Sequence, residues 1–442
     1  MTHLAKLAGS LLLLLVSGAP LAAAAPAPQK PPKARPQKTE QQPDPLGTLL
    51  RQAEEAIEKK DYAVATQSLE SYLTQRPSDA LAHFQLGYAY SGLERAEEAR
   101  AEYAKAIALN PKLAAAHLNL GLTLLARDPA AAVAPLRQAA ELLADQSRPR
   151  FLLGLALERS GDPAGAVEHY QAAQGLDPKN FEIRLALGRA LLQTDRPAEA
   201  EAQFREALVL RGDAAPARLG LASSLLAQKN PEGAAEQFRG YLQLQPQDQE
   251  SRLQLVSILV HLKRYDQALE ELDRGDAGAR PSLAGYKLRA EIHLEQKQLA
   301  QAAEALQKAL QLAPQDAELH ARLGRLWLEK RDLAAAEREL RQALQMDANW
   351  TDALRDLAPV YYLGEKYQAT LDVLDLLARR ETPPAGSWFV RATCYDKLLR
   401  KAEAVAAYEK FLELDQGRSE IQDFQARQRI RILKRELERK KR

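Results

Sequence analysis

The residues whose side chains could carry out chemistry are scattered through this 442-residue chain. Seven histidines are present, His83 and His117 among them, and no two have the HExxH spacing that binds zinc, so we interpret them as ordinary helix-surface residues. Cys394 is the single cysteine, which excludes an intramolecular disulfide, and we expect it to be a buried helix residue. No glycine-rich phosphate loop occurs. The sequence therefore predicts no catalytic residue, no metal site and no cofactor, and an enzyme is the least supported class.

The dominant feature of the sequence is a period of 34 residues. Glycine recurs at Gly87, Gly121, Gly154 and Gly188, at spacings of 34, 33 and 34 residues, and again four periods later at Gly324. Such self-similarity predicts a stacked repeat array. Eleven repeats follow one phase, and the third is one residue short in the turn between its predicted helices. They begin at Leu46, Ala80, Ala114, Ser147, Phe181, Ala215, Gln249, Leu283, Ala317, Thr351 and Ala385.

Two positions of every repeat are small. The eighth residue is Gly or Ala in ten of eleven repeats, Val256 being the exception, and the twentieth is Ala in all but one, which has Thr370. Small residues twelve apart suit two closely crossing helices, and prolines such as Pro178 end the second helix. Each repeat is therefore predicted to be a helix hairpin that buries its apolar flank against the next hairpin. Val256 and Pro359 mark two irregular repeats, which we expect to bend or loosen the array.

The repeat resembles that of the tetratricopeptide repeat (TPR) family. The family pattern is matched by Leu86-Gly87, Tyr90, Ala99, Tyr103, Ala106 and Pro111. The resemblance covers about residues 46–416. It implies an all-α fold, a right-handed α-solenoid of about eleven TPR helix hairpins, and a non-catalytic protein that binds protein or peptide partners.

In this family the first helices line a concave surface, to which the second, fifth, ninth and twelfth residues of each repeat contribute. The resemblance therefore implies a peptide-binding groove, apolar in the N-terminal half and partly basic in the C-terminal half. The alternative is that the apolar stripe packs between neighbouring first helices. Asn119 is the only asparagine at a sixth place, so the asparagine ladder of some family members is not matched. The predicted partner-binding residues are Phe84, Tyr88, Leu118, Phe151, Leu185, Arg189, Leu219, Leu253, Lys287, Arg325 and Arg355.

The N-terminal residues differ from the array. Residues 1–24 have the basic residue, the apolar run and the small-residue site of a signal peptide. Residues 25–45 form a linker rich in Pro, Lys and Gln, which we predict to be disordered. We therefore expect export to the periplasm. The alternative is an uncleaved N-terminal helix that anchors the protein in the inner membrane.

The C-terminal residues 417–442 are basic, with nine Lys or Arg against four acids from Ser419 onward. Phe424, Ile430, Leu433 and Leu437 form an apolar helical stripe, which predicts a capping helix over the last hairpin. The alternative is a basic surface for anionic glycan or lipid. Nucleic acid is disfavoured, because the chain is expected to be exported and no aromatic-basic motif occurs. The sequence does not predict an oligomeric state.

The sequence thus predicts a non-catalytic protein-protein interaction scaffold of the bacterial cell envelope. Its partners are expected to bind in the groove of the first helices. The alternative is an accessory or assembly factor of envelope polysaccharide or outer-membrane machinery, which would contact anionic glycan or lipid. Salt dependence separates the two, because electrostatic binding weakens steeply with ionic strength and apolar capture does not.

Overall fold

The computed structural model describes residues 29–30, 44–278 and 282–441. The predicted signal peptide and most of the predicted linker lie outside these residues. The described chain forms 23 α-helices and no strand. Twenty of them pair into ten of the predicted hairpins, the two helices of the repeat that begins at Gln249 follow in the predicted order, and ten first helices begin at the predicted residue. The chain divides into two compact parts, up to Ile258 and from Leu259 onward, which we call the N-terminal part and the C-terminal part.

The N-terminal part contains six complete hairpins. Their helices are α1 (Pro45–Glu58), α2 (Tyr62–Gln75), α3 (Ala80–Gly92), α4 (Ala96–Leu109), α5 (Ala114–Leu125), α6 (Pro129–Leu142), α7 (Ser147–Arg159), α8 (Pro163–Leu176), α9 (Phe181–Gln193), α10 (Pro197–Leu210), α11 (Ala215–Ala227) and α12 (Pro231–Leu244). The division between the two parts falls within the next helix, α13 (Gln249–His261).

The C-terminal part continues with α14 and four further hairpins, and ends in a single long helix. Its helices are α14 (Tyr265–Gly278), α15 (Leu283–Glu295), α16 (Leu299–Leu312), α17 (Ala317–Glu329), α18 (Leu333–Met346), α19 (Thr351–Leu363), α20 (Tyr367–Ala378), α21 (Ala385–Lys397), α22 (Lys401–Asp415) and α23 (Glu420–Lys441).

The small residues of the repeat lie in the core, and the eighth residue makes room for a large side chain. A Cβ atom added to Gly87 would lie 2.8 Å from the ring of Tyr103, and one added to Gly188 would lie 2.8 Å from the ring of Phe204. The ring comes from the twenty-fourth residue of the same repeat. The two helices therefore approach at a glycine on one and a large side chain on the other, while the alanine at the twentieth place, such as Ala99, is fully buried.

The turn inside ten of the eleven hairpins contains one left-handed residue. The fifteenth residue of ten repeats has positive φ, and nine of these residues are not glycine, with φ between 56° and 64°. Side chains other than glycine seldom adopt this conformation. The repeat that begins at Ala114 lacks the residue altogether, because its missing position falls at this place. There Asp128 caps α6 directly, accepting a hydrogen bond from the Ala131 N–H at 2.9 Å.

In several repeats the fourth residue of the first helix contacts a main-chain carbonyl six residues earlier. Arg184 Nε donates to Pro178 O at 2.9 Å, and Arg218 Nη2 donates to Gly212 O at 3.0 Å. These bonds satisfy carbonyl groups near the end of the preceding second helix. They also fix α9 and α11 to the hairpins before them.

Histidine takes the same fourth place in other repeats. His83 Nε2 lies 2.9 Å from Pro77 O, and its Nδ1 lies 2.5 Å from Glu102 Oε2. The ring therefore contacts both the connection before its own helix and the second helix of its own hairpin. His83 is buried, as is His117, so the expectation that these are ordinary surface histidines is wrong for both. They are connecting residues between repeats.

Helix α23 covers the last hairpin with Ala426, Ile430 and Leu433, which are buried, and with Leu437, which is partly buried. These residues follow one another at spacings of four, three and four, which places them on one helix face. Phe424 does not belong to that face and is 64% exposed, so its assignment to the capping stripe is wrong. The apolar contact begins two residues later, at a smaller side chain.

Candidate peptide-binding surface

The predicted groove residues of the N-terminal part divide into core and surface. Phe84 and Leu118 are fully buried, and Leu185 is 5% exposed, so these three were wrongly assigned to a groove. The fifth place points toward the second helix of its own hairpin. The ring of Phe84, for example, packs on Tyr103 with ring centroids 5.8 Å apart. These residues stabilise the hairpins and are closed to a partner.

Other residues on the same helices reach the surface. Tyr88 is half-buried, with its ring edge against Tyr62 at 6.2 Å between centroids, and burial raises its pKa. Leu122 and Leu155 occupy the same ninth place on α5 and α7 and are also half-buried. We call Asn119 and the ninth-place side chains Tyr88, Leu122 and Leu155 the first-helix face. The predicted residues Phe151, Leu219 and Leu253 are half-buried at fifth places.

Each of the four predicted basic residues is held in an ion pair. The nitrogen–oxygen distances are 2.6–2.8 Å, and Arg355 has a second carboxylate partner in Glu381. The predicted basic character of the C-terminal half is therefore compensated locally by carboxylates. The pairs are Arg189 with Glu158, Lys287 with Asp316, Arg325 with Asp356, and Arg355 with Asp352.

Asn119, at the sixth place of α5, holds a main-chain segment. Its Oδ1 accepts a hydrogen bond from the Gln29 N–H at 3.0 Å, and its Nδ2 donates to Gln29 O at 3.3 Å. A carboxamide carries one acceptor and two donors, so it matches the N–H and C=O of a single peptide residue. This arrangement recognises the main chain and makes no use of the Gln29 side chain.

A network beneath Asn119 sets the orientation of its amide. Its second Nδ2 hydrogen points to the Tyr103 hydroxyl at 3.5 Å, which lies 3.0 Å from Ser91 Oγ. Ser91 Oγ in turn donates to Gly87 O at 3.0 Å, so it accepts from Tyr103. Burial raises the pKa of Tyr103 and keeps this hydroxyl protonated. The nitrogen of the amide is thereby turned toward Tyr103, and its oxygen faces the N–H of the bound residue.

The sequence pointed to Asn119 only in part. Asn119 stood out as a lone sixth-place asparagine, but the absence of a ladder argued against its use. Gln29 lies 90 residues earlier in a segment that lacks large apolar side chains, so no periodicity connects the two residues. Leu122 and Leu155 were missed because the fifth place was favoured over the ninth.

A separate cavity lies within the C-terminal part, beside Pro359, which α19 includes without interruption. It has a volume of about 280 Å³ and opens among α19, α20 and the start of α21. Apolar side chains form most of its wall, and Arg355 with Glu381 stands at one side. The wall includes Pro359, Tyr362, Leu374, Leu377 and Val390.

The described part of the chain contains no cluster of three or more His, Cys, Asp or Glu side chains able to hold a metal ion. Burial raises the pKa of the Cys394 thiol to about 11, which leaves it protonated and unreactive at neutral pH. None of the helices described is at once long enough and apolar enough to cross a membrane.

The stacked hairpins and their regular joints define a helical repeat protein. Tetratricopeptide repeat models match residues 124–181, 151–218 and 185–249, and further ones match 93–127, 225–292, 293–358 and 385–418. The chain belongs to the tetratricopeptide repeat family. Comparison with curated proteins gave no match.

Solved structures similar to this chain include three that share 21–23% sequence identity with it. YrrB, described as a TPR protein with an unusual peptide-binding site, is covered in full and matches 45% of this chain with a TM-score of 0.40. MamA from Desulfovibrio magneticus RS-1 is covered to 96% and matches 38% of this chain, with a TM-score of 0.37. The pilF protein of Pseudomonas aeruginosa is covered to 94% and matches 47%, with a TM-score of 0.38.

Proposed function

We propose that the first-helix face binds extended segments of partner proteins, and that the chain is a non-catalytic scaffold of the bacterial cell envelope. The observation that carries the proposal is the pair of hydrogen bonds from Asn119 to one residue's N–H and C=O. A peptide offers these groups at every residue except proline. Protein and peptide partners also agree with the family to which the chain belongs.

The surroundings of Asn119 favour a peptide over a charged ligand. Tyr88, Leu122 and Leu155 present half-buried apolar and aromatic surface on α3, α5 and α7. Arg189, the predicted basic residue on the following first helix α9, is neutralised by Glu158. Binding should therefore depend on main-chain hydrogen bonds and apolar contact, and should change little between low and high salt.

Site-specific crosslinking in cells tests the proposal. A photo-crosslinking residue is placed at Tyr88, Leu122 or Leu155, and matched controls carry it at Leu142 and Leu176, which are exposed on second helices. We expect discrete adducts from the first three positions only, with a partner identified by mass spectrometry. The purified partner should then bind the purified chain with similar affinity at 50 and 500 mM salt. Equal adducts at all five positions, or none, would contradict the assignment.

The envelope location is inferred from residues 1–24, whose composition is that of a signal peptide. We expect the mature chain in the periplasmic fraction with a new N-terminus near residue 25. Cell fractionation followed by N-terminal sequencing tests this. Recovery of the intact N-terminus in the membrane fraction would support the uncleaved anchor instead.

A second candidate function rests on the outer face of α23. Ile421 and Phe424 are 75% and 64% exposed, and Ile432 is also exposed, next to the exposed Arg431 and Arg435. Apolar and cationic side chains on one helix face are typical of contact with an anionic lipid surface. This supports the alternative role of an accessory factor that contacts envelope lipid or glycan.

Vesicle sedimentation separates this candidate from peptide capture. The chain is mixed with vesicles of phosphatidylglycerol and phosphatidylcholine at low and at high salt. Binding that is lost at high salt and in Phe424→Ser would support the second candidate. Asp372→Asn, on exposed surface of α20, is the control. If the wild-type chain does not sediment with the vesicles at low salt, the second candidate function is excluded.

A further inference from the structure

We propose that the Gln29 segment of this chain is the resident occupant of the Asn119 site and must be displaced before a partner binds. The inference rests on the proposed function, because it concerns the same first-helix face. The site is thus already filled by part of the protein itself. Partner binding becomes a competition between two extended main chains for one carboxamide.

The sequence around Gln29 suits this role. Residues 26–32 read PAPQKPP, and four of the seven are proline, which has no N–H. Gln29 and Lys30 are the only residues between Pro28 and Pro32 that can donate a main-chain hydrogen bond. The proline that follows Lys30 disfavours a helical conformation of Lys30, which keeps the main chain beside Gln29 from folding into a helix.

The short connection to α1 makes the segment an effective competitor. Only the residues between Gln29 and the helix-capping Asp44 separate the site's occupant from the first hairpin. A connection of this length holds a segment near its site at a concentration on the order of 1 mM. A partner of modest affinity is therefore held off, while a partner that also contacts Tyr88 and Leu122 can displace the segment. The partner class is an extended peptide that has a free N–H at the clamped position and an apolar flank.

Peptide binding to the full chain tests the inference. The probe is a fluorescein-labelled peptide with the sequence of residues 25–36, followed by fluorescence anisotropy. Gln29→Pro removes the N–H that donates a hydrogen bond to Asn119 Oδ1. Gln29→Ala is the matched control because it keeps this N–H. We expect the probe to bind the Gln29→Pro chain at least about tenfold more tightly than the wild type. Gln29→Ala should behave as the wild type does.

The clamp itself is tested by adding Asn119→Leu to the Gln29→Pro chain. Loss of two hydrogen bonds should weaken probe binding about tenfold or more. Asn119→Asp is a second variant that keeps the acceptor and opposes the Gln29 carbonyl with another acceptor. Circular dichroism melts confirm that each variant folds. Equal binding by wild type and Gln29→Pro, or no effect of Asn119→Leu, would overturn the inference, as would release of the site by Gln29→Ala.

Amide hydrogen exchange separates failure of this inference from failure of the proposed function. In the wild-type chain the Gln29 N–H should be protected, and in Asn119→Leu it should exchange at the rate of a free peptide. Protection of the Gln29 N–H without any crosslinked partner would support the inference that Gln29 occupies the site and would refute the proposed binding function. Crosslinked partners without protection of the Gln29 N–H would support the binding function and refute the inference about Gln29.

Discussion

Arg189 on α9 donates two hydrogen bonds to Glu158 on α7, at 2.6 and 2.8 Å. The Arg189 side chain is 19% exposed and that of Glu158 is 7% exposed, and the Tyr170 hydroxyl donates to the same carboxylate at 2.8 Å. The pair joins the first helices of two successive repeats. A residue predicted to face a partner therefore stabilises the contact between neighbouring hairpins.

Removal of Arg189 should be costly. Arg189→Met leaves the carboxylate of Glu158 with two hydrogen bonds fewer in a mostly buried site, and loss of one partner of such a pair costs about 3–5 kcal/mol. The double variant Arg189→Met, Glu158→Leu should recover much of the loss. Arg205→Met, which breaks an exposed pair with Glu201, is the control and should cost at most about 1 kcal/mol. Urea unfolding followed by circular dichroism measures the difference; equal midpoints for Arg189→Met and Arg205→Met would contradict the argument.

Glycine at the eighth place should be irreplaceable where a ring covers it. Gly188→Ala places a Cβ 2.8 Å from the Phe204 ring, and such overpacking costs about 1–3 kcal/mol. The larger Gly188→Leu should cost at least as much. Gly175→Ala is the matched control, since Gly175 is also helical and has nothing within 4 Å of the added Cβ, so it should gain about 0.5–1 kcal/mol. Thermal melts that shift in the same direction for both alanine variants would refute this packing.

The left-handed turn residues should tolerate glycine. Leu399 has φ of 59°, and glycine adopts this conformation without the penalty of a side chain. Glycine also raises the conformational entropy of the unfolded chain, which offsets part of this benefit. The net free energy of unfolding of Leu399→Gly should rise by about 0.5–1 kcal/mol. Lys397→Gly, two residues earlier in the helical last turn of α21, should instead lose about 1 kcal/mol. The comparison of the two unfolding midpoints decides the point, and a loss of stability in Leu399→Gly would argue against strain in the turn.

Cys394 should report unfolding of the C-terminal part. Because the buried thiol has a pKa of about 11 against an ordinary value of 9.0, it should resist alkylation by iodoacetamide at pH 8 until the chain unfolds. The raised pKa also implies a pH dependence. The unfolded thiol ionises above pH 9 while the folded thiol does not, so the free energy of unfolding should fall as pH rises from about 9 to 11. Cys394→Ser should lessen this dependence, and rapid labelling of the folded chain would contradict burial.

Repeat boundaries could be predicted because packing imposes the same small residues at the same places. The first helices begin at Ala80 and Ala385 as predicted, and the first repeat differs by one residue because Asp44 caps α1 ahead of Pro45. The missing residue of the third repeat was also visible. The structural reason for the missing residue was not visible. It falls at the left-handed turn position, and residue types such as Lys229 and Glu365 do not distinguish that position in the sequence.

The binding surface was harder to predict because large apolar residues serve both core and surface. Phe84 and Tyr88 lie one helical turn apart, and only the position of Tyr103 shows that the first is enclosed. The partner of Arg189 lies 31 residues away, a distance that reflects repeat stacking and not helical periodicity. The Asn119 contact depends on a residue of the linker, which the repeat pattern does not include.

The recurrent bond from the fourth residue of a first helix to the carbonyl six residues earlier makes the array modular. Deletion of residues 181–214 would bring Arg218 six residues after Pro178, where Arg184 now stands. The joint would then be rebuilt from the same donor and the same kind of acceptor. Whole hairpins can accordingly be excised or duplicated during evolution, and the length of this protein can vary in steps of 34 residues without any new joint having to arise.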